Sequence, residues 1–291
     1  MTTLGELRSD YHAKLGQQVI RFSAGADGAD MTYPNFADCG SRSSILIANG
    51  IVGALRIPRQ KSRSIPGQRA GALFEKLTCE FIEHTFTAIS HMRPGKWKYL
   101  TSQTQISRFA QYRHLKILDD LVRDNRDLST ALGYDYLVTP DIIVARSTVS
   151  RDDVNGQAMV LDRPGLATLT PFLESNRSPD LPFLHASVSC KWTIRSDRSQ
   201  NTRTEAFNLI RNRKGRLPHI VAVTAEPLPM RIASLALGTG DLDCVYHIAL
   251  DELKTVCKAL PSCEDQAEML FTMIDGDRLR DISDLPFDLA I

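Results

Sequence analysis

Between residues 67 and 91 the apolar side chains Ala70, Leu73, Phe74, Leu77, Phe81, Ile82 and Phe86 recur at spacings of three and four. That period predicts an amphipathic helix beginning just after Ile65-Pro66-Gly67. Beyond residue 135 the pattern changes. Tyr136–Arg146, Leu184–Ile194 and His219–Glu226 are short and rich in β-branched residues, the signature of buried strands. A helical stretch, 202–214, separates the last two and ends at Gly215. A chain that alternates these two periods must pack helices on a sheet. The fold class expected is therefore α/β, a single domain with a mixed central β-sheet flanked by helices. Further helices are expected over 5–20, 45–57, 103–129, 250–260 and 264–275, and a fourth strand over 243–248. The stretch 147–182, rich in Asp, Gly, Pro and Ser, reads as a long loop or insertion. No internal repeat or linker divides the 291 residues, which are expected to form a helical N-terminal part (1–65), a core (66–240) and an acidic C-terminal part (241–291).

Composition narrows the function classes. At 43% hydrophobic and 24% charged residues the chain can bury a full core. No apolar run approaches the roughly 20 residues a membrane span needs. The acid-bearing start lacks the apolar core of a secretory signal, so a cytoplasmic protein is expected. Six cysteines (39, 79, 190, 244, 257, 263) form no C-x-x-C pair and are read as buried, reduced thiols. The seven histidines form no cluster in the sequence. There is no G-x-S-x-G, no Walker A and no H-E-x-x-H, so neither a serine hydrolase nor a nucleotide cofactor is indicated. The net charge of +1 hides an uneven distribution. Eight basic residues against two acids lie between Lys191 and Arg216, six basic and no acid between Arg42 and Arg69, and twelve acids against four Lys and Arg after residue 240. Basic segments suit a phosphate backbone, although solvated helix faces have the same composition.

One carboxylate and one lysine stand out, each on a predicted strand. Asp141 follows Pro140 at the start of Ile-Ile-Val-Ala, and Lys191 sits inside His-Ala-Ser-Val-Ser-Cys-Lys-Trp-Thr-Ile. Pro-Asp on one strand with an acid-x-Lys on its neighbour is the metal-dependent nuclease pattern. Phosphodiester hydrolysis needs one or two divalent cations, and carboxylates hold hard cations such as Mg²⁺. An ammonium nearby orients the attacking water and offsets the charge that develops. Here the position two before the lysine is Ser189, so one carboxylate is missing from its usual place.

The string Ser187-Val-Ser-Cys-Lys-Trp-Thr-Ile-Arg-Ser-Asp-Arg198 resembles the catalytic and recognition block of type II restriction endonucleases of the NgoMIV type, which cut CCGG-centred sites. The likeness continues through Pro66-Gly-Gln68, Phe74-Glu75, Thr139-Pro-Asp-Ile-Ile-Val144, Asn208–Ile220, Thr224-Ala-Glu-Pro227, Ala236–Gly240 and Asp281–Pro286. It is weaker over the first 60 residues and over 147–182. The resemblance implies a restriction-endonuclease-like core and a Mg²⁺-dependent double-strand DNA endonuclease with two metal ions per active site. It further implies that Asp141, Glu205 and the main-chain carbonyl of Cys190 hold metal, that Lys191 positions the water, and that Glu75 completes the acidic cluster. Glu205 also fits the third position of a capping box, Thr202-Arg-Thr-Glu205, which competes with a catalytic role. Ser189 is implied only as a neighbour of these groups.

For recognition, arginine donates two hydrogen bonds to guanine and aspartate accepts from cytosine. Arg195, Asp197 and Arg198 therefore suit a G·C-only core. By resemblance Gln68 probes the minor groove, Arg231 contacts an outer base pair and Ser41 assists it. The expected site is GCCGGC. Such a palindrome implies at least a dimer, and the resemblance implies a tetramer. Two other readings stay open from the residues alone: a same-fold repair nuclease without a fixed site, and a sequence-specific DNA-binding protein left inactive by Ser189.

Overall fold

The structure, a computed structural model, describes residues 2–24, 32–59, 64–101, 104–132, 138–174, 181–194, 196–238 and 240–291. Its N-terminal third contains α1 (Leu4–Gln18), the hairpin strands β1 (Phe22–Ala24) and β2 (Thr32–Pro34), α2 (Arg42–Ala54) and α3 (Gly67–Ala88). The middle contains β3 (Trp97–Thr101), α4 (Arg113–Arg123), α5 (Arg126–Leu132), β4 (Ile142–Arg146), α6 (Arg151–Asn155), β5 (Phe183–Lys191) and α7 (Ser196–Asn212). The chain then runs through β6 (His219–Thr224), α8 (Pro229–Ala236), β7 (Cys244–His247), α9 (Leu250–Ala259), α10 (Glu264–Asp275), β8 (Leu279–Asp281) and α11 (Leu285–Asp288).

Six strands form one mixed sheet in the order β3-β4-β5-β6-β7-β8. β3 and β5 run antiparallel to β4, whereas β5 through β8 run parallel. Parallel neighbours need long crossovers, and α7, α8 and the α9–α10 pair supply them. This order brings the N-terminal end of β4 and the C-terminal ends of β5 to β8 to the same end of the sheet. β4 reads as a continuous apolar run because both faces are covered: Ile142 to Ala145 are all buried. α3 lies along the core as its period requires. Phe74, Leu77, Phe81, Ile82 and Phe86 are buried, each such side chain contributing about 1.5–3 kcal/mol. Among the described residues no helix is long and apolar enough to cross a membrane.

Several expectations need correction. The stretch 103–129 is not one helix. It opens with two 3₁₀ turns (Ile106–Arg108 and Ala110–Tyr112) before α4, and α5 follows. The N-terminal part is not wholly helical, because β1 and β2 pair between α1 and α2. β5 ends at Lys191 rather than continuing to Ile194, since Trp192 leaves the ladder to pack against Phe36 and Phe74. α7 begins at Ser196, so Thr202 lies inside it and caps nothing. The cysteines are free, and four are buried as expected, but Cys39 is exposed and Cys190 half-buried. Two histidines do meet: the rings of His185 and His219 lie 5.0 Å apart at the opposite end of β5 and β6. The acidic C-terminal part is folded in, with Arg8 making paired hydrogen bonds to both Glu252 and Asp281.

Candidate active site and recognition face

Asp141 stands one residue before β4, and the antiparallel register Ile142↔Val188 sets it beside the last residues of β5. Its Oδ2 accepts hydrogen bonds from the Cys190 amide at 2.7 Å and from Lys191 Nζ at 3.1 Å. Ser189 Oγ reaches the same oxygen at 3.5 Å. Lys191 is the last residue of β5, and its carbonyl accepts from Thr224 Oγ1 at 2.7 Å, which ties it to the parallel neighbour β6. The ion pair is half-buried, with 18% of the lysine side chain and 32% of the aspartate side chain exposed. Water therefore screens it only in part.

Glu205 sits in the third turn of α7. Burial raises the affinity of its carboxyl for a proton; the Lys191 ammonium lowers it and the Asp141 carboxylate raises it again. Both strand charges thus act on the helix carboxylate. A residue so deep in the helix is not a cap, and its place is fixed by the α7 crossover between β5 and β6. Glu75 is half-buried on α3, and its charge acts on the Cys190 thiol beside Asp141. Burial pushes the Cys190 thiol well up, with Asp141 and Glu75 adding to it, so that thiol stays protonated. Among the described residues no three His, Cys, Asp or Glu side chains form a ready-made metal cage. Asp141 and Glu205, with a main-chain carbonyl and solvent, are the oxygen donor types that would suit a hard cation such as Mg²⁺, which retains several waters.

Of the residues expected to read DNA, the three whose side chains are described, Ser41, Gln68 and Arg231, stand at the N-terminal ends of α2, α3 and α8. Gln68 is exposed in the first turn of α3. Ser41 is the N-cap of α2, its Oγ accepting from the Ser44 amide at 3.3 Å. Arg231, in the first turn of α8, pairs with Asp38 and lies 4.0 Å from Glu226. Arg195 and the side chains of Asp197 and Arg198 lie outside the described residues; the backbone of 197 and 198 belongs to the first turn of α7. Ile194, just ahead of that block, is buried, and its amide donates to Glu226 Oε2 at 2.8 Å.

Two residues here had no role assigned from the sequence. Asp38 was visible only as part of a poorly matching stretch. Glu226 stood at the end of the expected strand His219–Glu226, inside the matching block Thr224-Ala-Glu-Pro227, and its complete burial just past β6 has no signature in that string.

A mixed sheet that presents an aspartate and a lysine from adjacent antiparallel strands, with further carboxylates on flanking helices, defines the restriction-endonuclease-like nuclease class. The family described as NgoMIV restriction enzyme matches the chain over residues 11–291. Type II restriction enzyme NgoMIV from Neisseria gonorrhoeae is 47% identical over 259 residues, covering 88% of this chain and 89% of that protein. The chain belongs to the NgoMIV restriction-enzyme family, and so to the type II restriction enzymes, which are site-specific deoxyribonucleases.

Proposed function

We propose that this protein is a Mg²⁺-dependent restriction endonuclease that hydrolyses both strands of DNA at a palindromic, CCGG-centred site, GCCGGC, beside a cognate methyltransferase in the bacterial cytoplasm. The observation that supports it most is the Asp141 carboxylate held by Lys191 Nζ at 3.1 Å while the charges of both act on Glu205. Asp141, Glu205 and the Cys190 carbonyl would hold the metal ions, which when bound polarise the scissile phosphate and stabilise the leaving oxygen. Lys191 orients the attacking water and offsets charge on the phosphate. Glu75 adds to the field that draws cations to this end of the sheet.

Arg195, Asp197 and Arg198 would read the inner G·C pairs, each bidentate contact contributing about 1–3 kcal/mol of discrimination. Gln68 serves the minor groove, and Arg231 with Ser41 the outer pair. A palindrome is met by two copies of the same surface, hence a dimer. By the family resemblance two such dimers would associate into a tetramer.

The decisive experiment is digestion of a plasmid of known sequence with Mg²⁺, followed by sequencing of the ends. Ends confined to GCCGGC are expected, and Lys191→Ala should bind that site in Ca²⁺ without cutting it. Scattered ends would replace this reading with a repair nuclease, and binding without cleavage by the wild type would replace it with a DNA-binding protein.

A further inference from the structure

We propose that Glu226 is a positioning residue that couples the two DNA-reading elements, holding the backbone that enters the Arg195–Arg198 block and the guanidinium of Arg231 with one buried carboxylate. The inference deepens the recognition reading above and rests on it.

Glu226 follows β6 directly and is completely buried. Its Oε2 accepts from the Ile194 amide at 2.8 Å, across 32 residues of sequence, and its Oε1 accepts from the Leu228 amide at 3.2 Å. The same Oε1 lies 4.0 Å from Arg231 Nη1, and Arg231 also pairs with Asp38. One side chain therefore touches the exit of β5, the entry to α8 and the arginine of that helix.

Either amide contact alone needs only a neutral acceptor, but together they engage both carboxylate oxygens, and the buried charge carries a desolvation penalty. What the charge adds is attraction to a cation, and Arg231 is the cation within reach. The other contacts make the clamp stiff. Trp192 and Ile194 are buried on either side of Thr193, so only three residues, two of them locked in the core, separate Lys191 from the reading block. A shift of the Ile194 amide would therefore move both the first reading arginine and the catalytic lysine.

The two contacts are separable by substitution. Glu226→Gln keeps one carbonyl oxygen for the Ile194 amide and removes, on the α8 side, both the acceptor for the Leu228 amide and the charge that faces Arg231. Glu226→Ala removes both. The test measures binding in Ca²⁺ at about pH 8.5, where the Glu226 carboxyl is ionised, with wild type and both variants, to three duplexes: the mapped site, one with an inner pair replaced, and one with an outer pair replaced. For Glu226→Gln the preference over the outer-pair duplex should fall about tenfold, while the inner-pair preference stays within threefold. For Glu226→Ala both should fall at least tenfold. A merely structural residue would weaken binding to all three duplexes alike and leave the ratios at wild-type values, and that result overturns the inference. Should Glu226→Ala fail to fold, the outer-pair ratio of Glu226→Gln decides alone. A wild type with no fixed site overturns the recognition reading and this inference with it. A fixed site with unchanged variant ratios overturns only the inference.

Discussion

Asp141→Asn separates the chemistry of the site from its architecture. The carboxylate oxygen Oδ2 holds the Cys190 amide at 2.7 Å and Lys191 Nζ at 3.1 Å. Asparagine keeps one oxygen for the amide, so the strand ends stay joined. It loses the half-buried ion pair, which is worth about 1 kcal/mol at such exposure. For a chain of this size that lowers the melting midpoint by roughly 2–4 °C. Asp141→Ala leaves both the amide and the ammonium without an acceptor, adding about 1–3 kcal/mol. Cleavage should respond on another scale, because a lost charge at the reacting phosphate lowers the rate by about 10³-fold or more. Stability is read by thermal melting, affinity by binding to the site in Ca²⁺, and rate by single-turnover cleavage in Mg²⁺. The expected outcome is a folded Asp141→Asn protein that binds and does not cut. Cleavage within tenfold of wild type would remove Asp141 from the catalytic site. Unfolding of Asp141→Asn would show that the carboxylate serves the fold before the reaction.

Three further outcomes follow from buried groups. Burial raises the Glu226 carboxyl to about 7. Its folded value thus exceeds the ordinary 4.5, so the native state holds the proton more tightly and the wild type loses stability as pH climbs from about 4.5 through 7. Glu226→Gln cannot titrate and should gain on the wild type by about 3 kcal/mol over that interval; denaturant melts giving a pH-independent difference would refute this. His247 is pushed down to about 4 and His185 to about 3, both by burial, so each is neutral when folded. Their stabilisation is complete above about 6.5 and fades on acidification, by about 5 kcal/mol together near pH 4.5; circular dichroism should show His185→Gln with a shallower acid limb, and an unchanged limb would contradict it. Gly50 faces Val256, and an added Cβ would meet its Cγ1 at 2.5 Å, so Gly50→Ala should loosen α2 from α9 at a cost of about 1–3 kcal/mol; an unaltered melting midpoint would refute that close approach.

The core of this fold was legible because burial on both faces leaves unbroken β-branched runs. Ile142 to Ala145 and Ile220 to Val223 could hardly be anything but interior strands. The edges were not. β3 reads Trp-Lys-Tyr-Leu-Thr, an edge strand with Lys98 and Thr101 exposed, and β8 is three residues long. The start of α7 was misplaced for a different reason. Thr202 and Glu205 satisfy the capping-box spacing, yet Thr202 is buried against Ser189, so tertiary packing placed a capping pattern in a helix interior. The helices and strand after residue 240 were legible, but not that the acids Glu252 and Asp281 both serve Arg8 near the N-terminus, a pairing across more than 240 residues that no local pattern encodes. Asp141 and Lys191 were visible as types on strands; their 3.1 Å contact depended on the antiparallel register of β4 and β5.

The serine at 189 ties these observations together. An acid at that strand position would stand next to Asp141, adding a second carboxylate on the same edge. Ser189 instead places a small hydroxyl 3.5 Å from Asp141 Oδ2 and 3.5 Å from Thr202 Oγ1. These are contact distances rather than strong hydrogen bonds, and their consequence is steric: α7 can pack closely on β5 at this point. Glu205 lies one helical turn beyond Thr202, so the close approach that Ser189 permits is what delivers the carboxylate toward Asp141 and Lys191. Seen this way, the missing acid and the helix glutamate are one structural feature. The strand bears no second carboxylate at 189, and the nearby acidic charge is Glu205 on α7, whose proton affinity burial and the neighbouring aspartate raise.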